Sequence, residues 1–179
     1  MKPLLLVVAA SLCFAATESR VSRANILAVE SAMNEKFSIR TGDPYDLLGN
    51  ARGTYLEGYG AVFTVELDLV NAGPLTLSPF RQTISAAEKE GLRDRKSKKL
   101  PILKESMRTL MMDASGTLDG LPLNERVAME AILFSYTWEN ARGLPHRVFM
   151  SAEKEKLLEA KSNHASQSDL AAIIEEQER

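Results

Sequence analysis

Ala61-Val62-Phe63-Thr64-Val65-Glu66-Leu67-Asp68-Leu69-Val70 is the stretch on which the fold reading turns. Phe63, Val65, Leu67 and Leu69 are apolar, and Thr64, Glu66 and Asp68 alternate with them. Successive strand side chains point to opposite faces, so this alternation predicts a strand with the first set on the core and the second in water. Upstream, 52–56 reads as its partner, with Glu57-Gly58-Tyr59-Gly60 as the glycine-bearing hairpin connection. Asn71-Ala72-Gly73-Pro74 closes the unit.

Helical spacing flanks this hairpin. Ile26, Val29, Met33 and Phe37 recur at three- and four-residue steps and predict an amphipathic helix over about 18–38, ended by Thr41-Gly42-Asp43-Pro44. Ser85 and Glu88 have the spacing of a capping box. Leu92, Leu103, Met107, Leu110, Met111 and Ala114 keep one helical phase, interrupted by Pro101. Proline inside a helix removes a hydrogen bond and clashes with the preceding turn, so two helical pieces are expected, roughly 85–98 and 101–115, either kinked or joined end to end. Ser115-Gly116 and Asp119-Gly120 punctuate the turn toward the next element.

Ile132, Phe134, Tyr136 and Trp138 alternate, while Val127, Ala131 and Leu133 also fit a helix; aromatic and β-branched residues favour reading 126–138 as a strand, with 146–151 a strand returning beside it. Ser151 is the candidate cap of a short helix carrying Leu157 and Leu158, and the polar tail from Lys161 holds a last helix over 169–176 with fraying beyond. The expected fold is α+β: an antiparallel sheet of about four strands, built from two hairpins and covered by helices. The triplets Ala51-Arg52-Gly53 and Ala141-Arg142-Gly143 are the one trace of an internal repeat.

The N-terminus carries a separate signal. Lys2 precedes an apolar run from Leu4 to Leu12, followed by Cys13, Phe14, Ala15 and Ala16. A basic start, a short apolar run and small residues at its end compose a secretory signal peptide, too short for a membrane span. Cleavage after Ala15 is expected, which divides the chain into a leader (1–15), one α+β domain (16–160) and a polar tail (161–179). The alternative is a lipoprotein anchored at Cys13, disfavoured because Leu12 stands where such signals want a small residue. The expected location is periplasmic or extracellular.

Cys13 is the single cysteine, so the mature domain has no thiol for a disulfide, a thiolate zinc site or thiol catalysis. A net charge of −2 gives no general pull toward nucleic acid. His146 and His164 are the only histidines, and neither stands in a ligand motif, so no metal site and no cofactor are expected. No nucleophile elbow, catalytic Ser-x-x-Lys context or phosphate-binding glycine loop occurs, so no catalytic residue is assigned.

Two features remain as candidate sites. Arg93, Arg95, Lys96, Lys98 and Lys99 crowd one stretch. Such a run is most often a solvated helix end, where positive charge suits the helix dipole, and its functional alternative is contact with a phosphate-bearing membrane surface. Tyr59, Trp138 and Arg142 are the candidate binding residues, on the idea that hairpin aromatics line a groove for a peptide, sugar or partner segment.

Arg52-Gly53-Thr54-Tyr55-Leu56-Glu57-Gly58-Tyr59-Gly60-Ala61-Val62-Phe63, together with Phe134-Ser135-Tyr136-Thr137-Trp138-Glu139 and Gly143-Leu144-Pro145, resembles a group of uncharacterised exported bacterial proteins. The resemblance implies export and carries no functional residue. The resulting expectation is a non-enzymatic envelope protein that meets a protein or small-ligand partner through an exposed sheet face or hairpin turns. The alternative is a periplasmic hydrolase using a carboxylate or serine site.

Overall fold

A computed structural model describes residues 21–38, 45–70 and 84–179. The leader with Cys13 and the breaker segments 41–44 and 71–74 lie outside the described residues. In chain order the elements are α1 (Arg23–Phe37), β1 (Asp46–Leu47), β2 (Arg52–Leu56), β3 (Gly60–Asp68), α2 (Ala86–Thr117), β4 (Arg126–Leu133), β5 (Arg147–Glu153), α3 (Lys154–Ser162), α4 (Gln167–Ile173) and β6 (Glu175–Glu178).

The α+β class holds, but the sheet is mixed and has six strands rather than four antiparallel ones. Its order is β1-β3-β4-β5-β6, with β2 also paired to β3. The β2–β3 hairpin forms as expected, with Arg52 opposite Thr64 and Leu56 opposite Gly60. So does the antiparallel pairing of β4 with β5. The difference lies between the hairpins, where β3 and β4 run parallel, Gly60 beside Arg126 and Leu67 beside Leu133. Parallel neighbours need a crossover, and α2 lies on the connection. β4 lies between β3 and β5, and Val127, Met129, Ala131 and Leu133 are buried toward the helices with Ala128 buried as well, while Glu130 and Ile132 open on the other face.

Pro101 does not divide the long helix. α2 runs unbroken for 32 residues, about 48 Å. Pro101 is exposed, while Leu92, Leu103, Met107, Leu110 and Met111 bury the same stripe on both sides of it. Core contacts that long offset a local proline cost of about 3 kcal/mol. The expected Ser85 capping box is present: Glu88 N–H donates to Ser85 Oγ at 3.3 Å, and Ser85 N–H to Glu88 Oε2 at 2.9 Å. Ser115-Gly116, expected as a turn, is the last turn of α2.

Three further expectations are corrected. The strand over 126–138 ends at Leu133. Ser151 sits inside β5, and α3 starts after Glu153 without a side-chain cap. The last helix is Gln167–Ile173, and the end of the expected helix, with residues beyond it expected to fray, forms β6 beside β5.

The helices pack on one face of the sheet. Ala61, Phe63, Val65 and Leu67 of β3, Val127, Met129 and Ala131 of β4, and Val148, Met150 and Ala152 of β5 meet the α1 stripe Ile26, Val29, Met33 and Phe37 and the α2 stripe in one core. Gly53 fixes the approach of α1, because a Cβ there would stand 2.5 Å from the Phe63 ring and 2.9 Å from Ile26. Glu30 of α1 is buried and accepts from Gly53 N–H at 2.8 Å. On the opposite face of the sheet, Thr64, Glu66, Glu130, Ile132, Arg147 and Phe149 remain half-buried or exposed.

Candidate functional site

The strongest concentration of buried charge lies at the carboxyl ends of the parallel strands. Asp68 closes β3, Phe134 follows β4, and the connection to β5 carries Glu139. Lys96 reaches them from α2. Its side chain is 2% exposed, with Nζ 2.8 Å from Asp68 Oδ1 and 2.6 Å from Glu139 Oε2. Nζ also donates to Phe134 O at 3.2 Å. Asp68 Oδ1 accepts from Val70 N–H at 3.2 Å as the chain leaves β3. Glu139 Oε1 is buried and has no hydrogen-bond partner among the described residues.

These geometries correct two readings. Alternation puts Asp68 on a wet strand face, yet it is 3% exposed. Lys96 belongs to no surface patch. Removing an ammonium from water is costly unless counter-charges and hydrogen bonds replace the hydration, and three acceptors do so here. A signal for it exists in the sequence, since Lys96 stands four residues after Leu92 and seven before Leu103, inside the apolar stripe.

The rest of the basic run divides. It lies in the body of α2 rather than at a helix end. Arg93 pairs with Glu90 at 2.8 Å and with Asp94 at 3.0 Å. The Asp94 hydrogen bond leads the causes that hold its guanidinium above its ordinary value. Lys99 Nζ lies 5.1 Å from the centre of the Tyr45 ring, a cation–π contact. Arg95 and Lys98 are exposed.

The aromatic candidates do not converge. Tyr59 ends the β2–β3 turn, where its carbonyl accepts from Arg126 N–H at 2.8 Å, beside the start of β4. Trp138 lies beyond the other end of β4. The length of β3 separates them, about 25 Å at 3.3 Å per residue. Trp138 is half-buried against the core and stacks on Tyr136 with centroids 5.4 Å apart, and Tyr136 meets Phe134 edge-on at 4.9 Å. Arg142 is exposed on the same connection, where its N–H donates to Asn140 Oδ1 at 3.2 Å.

A cavity of about 10 Å³ adjoins Lys96, lined also by Phe134, Ser135 and His146. That is about the room one water needs. A wider depression of about 280 Å³ opens on the sheet, between Glu130, Arg147, Phe149, Gln177 and Arg179. His164 stands apart, in a left-handed turn after α3 with φ 51°. Among the described residues no group of three or more His, Cys, Asp or Glu is placed to hold a metal ion, and no helix is long and apolar enough to cross a membrane.

Two other buried charges lie outside the sequence reading. Lys154 opens α3, and its Nζ donates to Leu118 O and Leu121 O, both at 2.8 Å. Burial pulls this ammonium below the ordinary lysine range, with the charge of Asp119 opposing. Glu125 accepts from the Tyr55 hydroxyl at 3.1 Å and from Gly58 N–H at 3.2 Å, tying the hairpin turn to the start of β4. Both act on backbone polar groups, Lys154 on the carbonyls that follow α2 and Glu125 at the turn. No family model, no curated protein and no solved structure matches this chain.

Proposed function

We propose that the chain is an exported binding domain that works through contact rather than chemistry, with the helix-free face of its sheet as the contact surface. The carrying observation is that face: Ile132 is 41% exposed on a central strand between Glu66 and Arg147, with Phe149 and Val62 half-buried further along the same face. Thr54 and Leu56 of β2 continue the same side. Antiparallel sheets often leave one face to water, but a β-branched residue of this size on a central strand is suited to a partner surface. The Lys96 cluster argues against the hydrolase reading, because its ammonium is engaged by three acceptors and its cavity has no space for a substrate.

The reading is tested by placing a photo-crosslinking residue at Ile132, Leu56 or Lys98 in cells. Discrete adducts of one mass from positions 132 and 56, and none from position 98 on the helix side, are expected. Equal labelling at all three positions sinks the face. Export is checked separately by the mass of the purified mature chain, which should begin at Ala16; an intact leader in a cytosolic fraction excludes it.

A further inference from the structure

β6 pairs with the edge of β5, Glu175 opposite Ser151 and Glu178 opposite Val148. Its four residues, Glu-Glu-Gln-Glu, are all exposed and bring no apolar side chain to the core. What holds them, besides the backbone ladder, is a clamp of cations from both faces of the sheet. On the helix side Lys104 Nζ lies 2.8 Å from Glu176 Oε1 and also pairs with Glu178. Arg108 reaches Glu176 Oε2 at 2.7 Å. On the open side Arg126 meets Glu175 at 2.8 Å. Arg108 Nε is buried with no hydrogen-bond partner among the described residues, so β6 does not saturate the clamp. The core ends just before the strand, at buried Ile174.

We propose that the β5 edge is an acceptor site for an extended acidic segment of another protein, occupied in this structure by the chain's own β6. Strand addition supplies affinity through main-chain hydrogen bonds, and selectivity comes from what alternate side chains meet. Here alternate positions meet Lys104 and Arg108 on one side and Arg126 on the other, so the edge selects carboxylates. β6 can leave without uncovering a hydrophobic side chain of its own, which makes exchange for a better acidic strand inexpensive. The site adjoins the open sheet face through Arg126 and Gln177, but its binding is read by peptide and hydrogen exchange rather than by crosslinking at Ile132, so the two readings fail separately.

The test uses the full chain and a labelled peptide, Glu-Glu-Gln-Glu-Arg, the sequence of 175–179. In Glu176→Gln/Glu178→Gln the internal competitor is weakened, and the peptide should bind about tenfold tighter than to the unaltered chain. A peptide with glutamine for every glutamate should bind far less, and adding Lys104→Gln/Arg108→Gln/Arg126→Gln should remove the difference between the two peptides. Hydrogen exchange on the unaltered chain gives a second readout: the acidic peptide should strip protection from 175–179 while that of β5 stays. Equal binding of both peptides, or no exchange response up to millimolar peptide, overturns the proposal. Concentration-dependent dimers without peptide binding overturn it too, in favour of β6 swapping between copies.

Discussion

Lys96 Nζ and Asp68 Oδ1 are 2.8 Å apart, and both side chains are closed to solvent, so the middle of α2 is held to the end of β3 by a buried ion pair. Glu139 completes it from the connection after β4. The three groups join segments that the chain order keeps far apart.

Truncating the cation therefore strands two buried carboxylates. Lys96→Met is expected to lose about 3–5 kcal/mol, the usual consequence of removing one partner from a buried pair. Lys96→Met/Asp68→Asn/Glu139→Gln, which removes all three charges together, should recover much of that loss. Urea midpoints at unchanged slope read both; a single variant as stable as the parent contradicts the geometry.

Lys154 gives a pH signature of opposite kind. Its folded-state value lies below the ordinary lysine value, so the unfolded chain keeps the proton longer. Stability from this group then rises with pH between the lowered value and about 10.4. Lys154→Met should lose that rise and about 1–3 kcal/mol, since the Lys154 hydrogen bonds to Leu118 O and Leu121 O are lost, while Leu118 O keeps the Leu121 N–H. Chemical denaturation between neutral and alkaline pH measures both.

Glu176 responds at the acid end. Burial disfavours its charge, but hydrogen bonds and attraction from Lys104 and Arg108 prevail and hold the carboxyl below its usual range. The stabilisation is present above the unfolded value of about 4.3 and disappears as pH falls through the folded one. The stability gap between the unaltered chain and Glu176→Gln should close over that interval. A gap unchanged by acid would detach Glu176 from its partners.

Gly53→Ala probes the seat of α1. The added methyl meets the Phe63 ring at 2.5 Å, and overpacking of this kind costs about 1–3 kcal/mol. Gly53→Ala/Phe63→Leu should regain part of it in thermal unfolding. A double variant no more stable than the single one would place the strain elsewhere.

Much of this architecture is written in local periodicity. The α1 stripe, the alternation of β3 and the Ser85–Glu88 box each report contacts within a few residues, and each has its expected form except at Asp68, which is buried at the end of β3. The parallel pairing escapes because adjacency in sequence favours hairpins, although the near-continuous apolar run of β4 and the long helix before it both point to a crossover. β6 is illegible for another reason: Glu-Glu-Gln-Glu has no apolar period, and its strand form comes from β5 and the cations of α2. Of the candidate binding residues, sequence can name Tyr59 and Trp138 but cannot tell that β3 lies between them.

The parallel seam has a consequence for how the chain acquires its shape. Gly60 must find Arg126, and the whole of α2 intervenes. Closing so long a loop spends entropy before any contact across it is gained. During synthesis β3 therefore emerges with one edge paired to β1 and β2 and its apolar row met by α1, while its central neighbour β4 is still unmade. The slow step of maturation should be the docking of that row, and the interval before it is when the chain is most exposed to association with its own copies.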